Sequence, residues 1–521
     1  MSADGAHYME LAERSWQRGP AAGMDWYAGP GYPVVAGWLF GLLGDLDFAG
    51  RLVSFLFGAA SLGGVAVLSR RLFGPTVACV AVALLAVHTT FVRHSVMAET
   101  DAAYGCWLVW SIFFTWELKH ASTALGRVRW SVLAGLALGL GYLTRPEAVP
   151  LAGLLGIWFL VARCGQGAAT KLTHTNRVSN FIRRLNWSAL VAAVFLVVAS
   201  PYLLKLRADL GRWSLSGKER SIVLKFVPDK RNYEEVLKLG VTGAVLKQPR
   251  NIVHWLPYHV RWGVPQFVKS IHPIVLVLAM CGLIQRRVVS RAEGAVGLLI
   301  WTSVPFILFF FLTFPGRRYF MQAMPAWTIL AAVGTMELAA AIAAWRGSLT
   351  SDCPRPNPLP QAEGAARRAF RIALATPLVL LAAATLWSNR RPIEESLRTE
   401  RAIGERIHSV AGPGRRVLSF TVTSFYSRGE RVPLWGPMEG IVRCHGYGAP
   451  LSYDDFVAYV RRHRAEFIVL DHDLRADCPE FLDRVRPDDF ELVAGDIVDH
   501  HGPHQIYRFV AQPAARSSHA N

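Results

Sequence analysis

Acidic, basic and aromatic side chains stand beside apolar segments at several separate places in this chain. Charged groups next to or inside apolar segments cost free energy unless they are paired or have a function, so each is a candidate site residue. A carboxylate can remove the proton of an attacking hydroxyl or amine, and a guanidinium can hold two oxygens of a phosphate leaving group. These residue types are compatible with the transfer of a group that is carried on a phosphate. The candidates are Asp4, His7, Glu10, Arg93, Glu99, Asp101, Arg145, Glu147, Arg317, Arg318 and Tyr319.

The acidic candidates have structural explanations as well as a catalytic one. Asp4 lies near the start of the chain, where it could be a solvated residue or a helix N-cap. Glu99 and Asp101 precede an apolar stretch and could cap the helix that it forms. In the catalytic interpretation, Asp4 is the general base. The sequence leaves both explanations open.

The basic candidates also allow two interpretations. Arg145 could form a salt bridge with Glu147, and Arg317 and Arg318 could bind lipid headgroups. Arginine is nevertheless well suited to a departing phosphate, because its guanidinium stays charged. The residues assigned to the phosphate of a donor are Arg145, Arg317, Arg318, Tyr319 and Arg93.

The composition is that of an integral membrane protein. The chain has 521 residues, of which 52% are hydrophobic, and its mean hydropathy is +0.26. This is too apolar and too long for a single soluble core. The formal net charge is +18, which could suggest nucleic acid. In a membrane protein, basic residues gather in cytoplasmic loops, so we expect membrane lipids and no nucleic acid as partners.

Apolar stretches predict about ten membrane spans. The expected spans lie near residues 48–68, 75–91, 187–204, 271–283, 294–314, 319–344 and 372–387, with one more that ends near residue 116 and two within residues 130–159. The apolar region 130–159 is interrupted by Arg145-Pro146, which predicts two spans that meet at a turn.

Alternation of the loops predicts the orientation in the membrane. The connections around residues 70–71, 119–129, 163–184, 286–291 and 346–371 are basic and fall on one side, which is therefore cytoplasmic. Every candidate site residue falls on the other side. The site and the C-terminal domain are thus expected to face the periplasm or cell exterior. The loops do not distinguish a plasma (inner) membrane from the endoplasmic reticulum, but the absence of a retrieval signal favours the plasma membrane.

The predicted domain organisation has three parts. Residues 1–47 form an outer loop with the catalytic aspartate and an interfacial helix, and residues 48–388 form the transmembrane domain, with a long outer loop at 205–270. Residues 389–521 have the composition of a soluble domain. Strands near 416–420, 466–470, 490–493 and 506–510, with a helix near 454–463, predict a small α/β fold outside the membrane.

Several short motifs, in this order, resemble the GT-C membrane glycosyltransferases, in the branch that contains the protein mannosyltransferases and the aminoarabinose transferases. The motifs are Asp4-x-x-x-Tyr8-x-x-x-Ala12, Gly29-Pro30-Gly31-Tyr32-Pro33, Ala49-Gly50-Arg51-Leu52, Glu99-x-Asp101, Gly139-x-Gly141-Tyr142-Leu143-Thr144-Arg145-Pro146-Glu147 and Arg318-Tyr319-Phe320 with Pro325. The resemblance implies a GT-C-like, α-helical polytopic fold. Many relatives have Asp-Glu at the first motif, whereas this chain has Asp4-Gly5.

The resemblance also implies an activity. It implies a catalytic aspartate at Asp4, a second acidic site at Asp101 with Glu99, and a polyprenyl-phosphate-linked sugar as the donor. The expected reaction is an inverting transfer of that sugar to an extracytoplasmic acceptor, which could be a cell-envelope glycan, a lipid or a protein. Asp101, Glu99 and His7 are candidate ligands of a divalent metal ion, because carboxylates and imidazole are usable ligands.

Two other functions fit the same composition. One is a transporter or flippase that binds a lipid phosphate without chemistry. Charged residues buried at mid-membrane in paired, broken helices would favour this function. The other is a non-catalytic membrane protein that presents its outer domain to a partner. The placement of the notable charges in loops on one side favours the enzyme.

Overall fold

Two compact units make up the chain. One comprises Leu11–Arg390, and the other comprises Met1–Glu10 with Arg391–Asn521. The computed structural model describes residues 3–25, 28–161, 174–217, 249–284, 297, 299, 302–303, 316–350, 360–389, 395–418, 421–428, 430–432, 452–470, 481, 485–499 and 502–510.

The described part of the larger unit is built from helices. They are α1 (Ala3–Arg18, which begins in the smaller unit), α2 (Gly31–Leu43), α3 (Leu46–Phe73), α4 (Pro75–Ala86), α5 (Thr89–His94), α6 (Thr100–His120), α7 (Ala124–Thr144), α8 (Ala148–Val161), α9 (His174–Leu210), α10 (Pro249–Ile271), α11 (Pro273–Ile284), α12 (Met324–Thr350) and α13 (Pro360–Asn389). Two short 3-10 helices, Pro20–Gly23 and Arg317–Ala323, complete the description.

Four helical segments are long and apolar enough to cross a membrane. They are Leu46–Phe73, Phe181–Leu210, Arg317–Trp345 and Phe370–Trp387, and they overlap four of the expected spans. Three shorter apolar helices are α2, α4 and α8. The expected total of about ten spans stays a prediction, because the expected span at 294–314 lies mostly outside the described residues.

Helices α10 and α11 form a bent pair. The segments Leu256–Ile271 and Pro273–Ile284 meet at 87°, so they are either one broken span or a re-entrant loop. His272 stands at the bend in the left-handed region, with φ of 69°, directly before a proline. Proline cannot continue the backbone hydrogen bonds of the preceding helix, which explains the break. Residues 249–270 of the expected 205–270 loop are therefore helical.

The predicted turn inside the 130–159 region is confirmed. Helix α7 ends at Thr144, and α8 begins at Ala148. Arg145 between them has an extended backbone, with φ of −150° and ψ of 133°. The following Pro146 disfavours helical geometry in the residue before it, so the sequence itself imposes this stop.

Small residues let the membrane helices approach closely. A Cβ atom at Gly334 on α12 would lie 1.9 Å from the carbonyl oxygen of Leu278, and one at Gly282 on α11 would lie 2.4 Å from that of Leu330. The backbones of α11 and α12 thus touch at these two glycines. Between apolar helices in lipid, such packing supplies much of the association energy.

The described C-terminal region is a mixed α/β unit. Its helices are α14 (Glu395–Ala411), α15 (Thr421–Ser427) and α16 (Tyr453–Arg462), and its strands are β1 (Arg416–Leu418), β2 (Glu430–Val432), β3 (Phe467–Leu470), β4 (Phe490–Asp499) and β5 (Gly502–Phe509). The strand order is β2-β1-β3-β5-β4, with β1 parallel to β2 and β3 and the remaining pairs antiparallel. β1, α16, β3 and the closing hairpin lie where the sequence pattern predicts them.

Substituting Gly334 by alanine should destabilise the membrane unit, because the added methyl group would overlap the Leu278 carbonyl. We expect a loss of about 1–3 kcal/mol, the usual cost of overpacking, measured by thermal unfolding in detergent. Gly63→Ala on α3 is the matched control, since a Cβ atom there meets nothing within 4 Å. An equal loss of stability in both variants would contradict the close approach of α11 and α12.

Candidate active site

A buried arginine between two carboxylates forms the centre of the site. The Nη1 atom of Arg145 contacts Oδ1 of Asp101, and its Nη2 atom lies 3.2 Å from Oε1 of Glu147. The Nε atom of Arg145 also donates to Oε2 of Glu147, at 3.4 Å. The side chains of Arg145 and Asp101 are 5% and 3% exposed. Of the two sequence interpretations of Arg145, its salt bridge with Glu147 is present, and it is extended to Asp101.

Two helix ends bring these charges together. Asp101 lies in the first turn of α6, and Arg145 directly follows the last residue of α7. A carboxylate in the first turn of a helix is favoured by the positive end of the helix dipole. Losing one partner of a buried ion pair strongly destabilises a protein, because the other charge is left buried without compensation. This pair therefore holds the two helix ends in a fixed arrangement.

Glu99 joins the cluster through its side chain. It occupies the N-cap position of α6, but its carboxylate makes no capping hydrogen bond. Instead, Oε2 lies 3.3 Å from Nδ1 of His94, and Oε1 lies 3.8 Å from Nη1 of Arg318. The capping explanation of the Glu99 side chain is therefore wrong. We call Glu99, Asp101, Arg145, Glu147 and Arg318 the acidic cluster, since it holds three carboxylates and two guanidinium groups.

Tyr319 links the two arginines of the acidic cluster. Its hydroxyl accepts a hydrogen bond from Nη2 of Arg318, at 3.0 Å, and its ring centre lies 5.3 Å from the guanidinium carbon of Arg145. Tyr104 on α6 lies on another side of Arg145, at 5.9 Å. Guanidinium groups are attracted to the faces of aromatic rings, so both tyrosines help to fix Arg145. Tyr104 was not among the residues predicted from the sequence.

The Gly29-Pro30-Gly31-Tyr32 motif packs against backbone that adjoins the acidic cluster. A Cβ atom at Gly29 would lie 2.2 Å from the carbonyl oxygen of Leu143, so the motif packs directly on the end of α7. The hydroxyl of Tyr32 donates to the Gly50 carbonyl at 2.7 Å and lies 2.9 Å from Oγ of Ser54. Ser54 in turn donates to the Glu99 carbonyl, at 3.2 Å. The motif thus positions the backbone beside both Arg145 and Glu99.

A second group of charges contains only basic side chains. Arg317 lies within electrostatic range of Arg93, His272 and His88. The rings of His88 and His272 are 6.4 Å apart. We call these four residues the basic cluster. Within the described part of the chain, neither Arg93 nor Arg317 has a carboxylate at ion-pair distance, and Nδ1 of His88 is buried with no hydrogen-bond partner.

The two clusters share two short elements. Arg93 and His94 are consecutive at the end of α5, and Arg317 and Arg318 are consecutive at the start of the second 3-10 helix. One member of each pair faces the carboxylates and the other belongs to the basic cluster. An arrangement with unneutralised positive charge beside fixed carboxylates is suited to an anionic ligand.

The carboxylates include a group that fits a metal ion by its donor types. Ligand atoms of His94, Glu99 and Asp101 all lie within 4.8 Å of one another. Imidazole and carboxylate are ligands that divalent cations accept. The same oxygens face Arg145 and Arg318, so a cation would share these carboxylates with two guanidinium groups. His94 was not named by the sequence analysis, and His7 is not a member of this group.

The acidic candidates nearest the start of the sequence, Asp4 and Glu10, lie on α1. Asp4 lies in the first turn of α1, and His7 and Glu10 follow on the same helix, within Met1–Glu10 of the smaller unit. The roles of Asp4 and His7 stay predictions. The residues that sequence reasoning missed, His94, His88, His272 and Tyr104, have no distinguishing spacing in the sequence. Tyr32 was named within a motif but was given no role.

Removing Arg145 should destabilise the protein strongly, because two buried carboxylates would lose their counter-charge. We expect Arg145→Gln to lower the free energy of unfolding by about 3–5 kcal/mol, measured by thermal and denaturant unfolding in detergent. Arg51→Gln is the control, since it breaks the half-exposed pair with Asp47 (3.0 Å) and should cost no more than about 1 kcal/mol. If both variants lost the same small amount, the central role of Arg145 would be refuted.

Comparison with known proteins shows what this chain is similar to. Residues 28–204 match the family described as dolichyl-phosphate-mannose-protein mannosyltransferase. This range contains the Gly29-Pro30-Gly31-Tyr32 motif, Glu99, Asp101 and Arg145. A segment of 163 residues is 32% identical to the undecaprenyl phosphate-alpha-4-amino-4-deoxy-L-arabinose arabinosyl transferase of Edwardsiella ictaluri. That match covers 29% of this chain and spans 28% of the relative's length.

Two solved structures share the fold over most of the chain. ArnT from Cupriavidus metallidurans, bound to undecaprenyl phosphate, superposes with a TM-score of 0.56 at 15% identity, over 98% of this chain and 94% of that one. The oligosaccharyltransferase AglB from Archaeoglobus fulgidus, in complex with an inhibitory peptide and a dolichol-phosphate, superposes with a TM-score of 0.53 at 13% identity, over 91% and 66%. The resemblance expected from the motifs is thus confirmed: this chain has the fold of the GT-C membrane glycosyltransferases.

Proposed function

We propose that this protein is a glycosyltransferase that moves a sugar from a polyprenyl-phosphate donor to an acceptor on the extracytoplasmic side of the plasma membrane. The observation that carries the proposal is the pair of clusters, in which Arg93 and Arg317 lack carboxylate partners among the described residues while the neighbouring arginines are paired with carboxylates. The likeness to proteins named for undecaprenyl- and dolichyl-phosphate substrates supports it.

The donor phosphate binds at the basic cluster in this proposal. A polyprenyl phosphate is a good leaving group, and its departure is helped most by positive charge near its oxygens. Arg93 and Arg317 supply two guanidinium groups whose charge is not already used. Arg318 and Tyr319 follow Arg317 on the same 3-10 helix and reach the donor from the acidic cluster.

Arg145 has a different task from Arg93 and Arg317. Its guanidinium is held by Asp101 and Glu147 and is almost completely buried, so we assign it to positioning rather than to phosphate binding. Asp101 and Glu99 form the second acidic site, which orients Arg318 and the sugar end of the donor. A divalent cation held by Glu99, Asp101 and His94 would add positive charge beside the phosphate.

Asp4 is the proposed general base. The acceptor hydroxyl or amine attacks the anomeric carbon as the bond to the phosphate oxygen breaks, and its proton passes to the carboxylate. Attack from the face opposite to the leaving phosphate inverts the anomeric centre. Asp101 is a poorer base, because its oxygen is already bonded to a guanidinium.

The placement of the charges favours an enzyme over a transporter. Asp101, Arg145 and Arg317 all lie at helix ends. A transporter binding site at the bilayer midplane would place charged residues inside broken spans. The bent pair of α10 and α11 has His272 at its break, and no Asp, Glu, Lys or Arg stands at that position.

Replacing Asp4 by asparagine should abolish sugar transfer and leave the fold unchanged. The test incubates purified protein with polyprenyl-phosphate sugars extracted from a strain that lacks this protein, and mass spectrometry follows the loss of each lipid-linked sugar. Loss of a general base typically slows the reaction about 10²–10⁴-fold. Asp47→Asn, which removes a first-turn aspartate from α3, is the matched control. Unchanged turnover in Asp4→Asn would remove Asp4 from the mechanism.

Neutralising the basic cluster should weaken binding of the lipid phosphate. We expect Arg93→Gln and Arg317→Gln each to raise the dissociation constant for undecaprenyl phosphate about tenfold, because each removes a charge-assisted contact. Arg51→Gln, on the exposed face of α3, should leave it unchanged. Wild-type affinity in both cluster variants would show that the phosphate binds elsewhere.

A further inference from the structure

A second polar cavity lies at the end of α6 opposite to Asp101. Asp101 is in the first turn of this helix, and Lys119 and His120 are in its last turn. At 1.5 Å per residue, these two ends are about 30 Å apart, the thickness of a bilayer core. The cavity has a volume of about 290 Å³. It is therefore separate from both clusters of the candidate active site.

The side chains that line this cavity are strongly basic. Five of them carry basic groups, and none of the described lining residues is an Asp or Glu. The basic lining residues are Lys119, His120, Arg127, Arg183 and Arg184. We call this cavity the basic pocket. The indole Nε1 atom of Trp187, which also lines it, is buried without a hydrogen-bond partner in the described part of the chain.

Neutral groups hold several of these basic side chains in place. Arg184 donates to the carbonyls of Phe159 and Leu160 at the end of α8, at 3.5 and 3.1 Å. Arg127 donates to the carbonyl of Ala121, at 3.0 Å. The Lys119 ammonium lies 4.8 Å from the centre of the Trp158 ring. Carbonyls and an aromatic ring orient these cations, and no carboxylate stands among the described lining residues, so the lining of the pocket suits an anion.

An apolar groove continues from the basic pocket. It has a volume of about 460 Å³ and is lined by residues of α6, α7, α8 and α9. Leu118 and Phe159 line both the groove and the basic pocket, so the two spaces adjoin. Gly153 and Gly156 on α8 also line the groove, and a Cβ atom at either would meet nothing within 4 Å.

We propose that the basic pocket and the groove together bind one anionic phospholipid from the surrounding membrane. Its phosphate occupies the basic pocket, and one acyl chain lies in the groove between the four helices. A basic pocket between membrane helices is the usual recognition element for anionic headgroups, and an adjoining apolar channel matches a lipid better than a free phosphate. The site adds a lipid ligand that takes no part in the proposed sugar transfer.

The test measures binding to the purified full-length protein in a neutral detergent, by native mass spectrometry and thermal unfolding. The probes are phosphatidylglycerol, phosphatidylcholine with the same chains, and inorganic phosphate. One variant, Lys119→Gln with Arg183→Gln, removes two charges from the pocket, and its control is Arg70→Gln at the exposed end of α3. The other variant, Gly156→Leu, fills the groove, and its control is Gly63→Leu, where the new side chain also has open space.

Phosphatidylglycerol should bind to the wild type and raise its unfolding temperature, whereas phosphatidylcholine should do neither. The double charge variant should bind phosphatidylglycerol about tenfold more weakly than its control. Gly156→Leu should lose affinity for the lipid but keep any response to inorganic phosphate. Equal binding of the two lipids, or an inorganic phosphate effect that equals the lipid effect, would overturn the proposal, as would unchanged lipid binding in Gly156→Leu.

Discussion

The burial of Arg145 between Asp101 and Glu147 is the constraint on which the rest of the site depends. A guanidinium that is removed from water must be paired, and the carboxylates that pair with it are themselves buried. These charges therefore tie the first turn of α6 to the end of α7. The ring of Tyr319, from a segment much later in the chain, also lies beside the Arg145 guanidinium.

The arginines of the site fall into two kinds, according to whether a carboxylate lies at ion-pair distance. Those that face carboxylates, Arg145 and Arg318, are held in place, and those that do not, Arg93 and Arg317, keep their charge for a ligand. The two kinds are adjacent in sequence at 317 and 318, because successive residues of a 3-10 helix point in different directions. One short element can thus serve both the framework of the site and the binding of an anion.

The two ends of α6 have different electrostatic environments. At its first turn, three carboxylates and two guanidinium groups are packed together, whereas its last turn contributes to a pocket lined only by basic and neutral side chains. The positive end of the helix dipole favours the carboxylates, and the negative end favours the cations. The helix that positions the candidate active site also forms part of the proposed lipid site.

The sequence by itself determined the features that depend on local chemistry. Apolar length predicted four spans that the structure contains, Pro146 predicted the stop after α7, and alternating patterns predicted β1, α16 and β3. Motif order predicted the GT-C fold, and residue type selected Glu99, Asp101 and Arg145 as candidate site residues. Each of these signals is contained within a few neighbouring positions.

Only the tertiary structure decided which of the selected charges neutralise each other. The sequence grouped Arg145 with Arg93 and Arg317 for phosphate binding, because pairing across 44 residues between Asp101 and Arg145 leaves no local pattern. The roles of His94 and Tyr32 were not predicted for the same reason, since they come from contacts with Glu99 and with the backbone near it. Residue type sets the charge that a side chain can carry, but packing sets which charges remain available to a ligand.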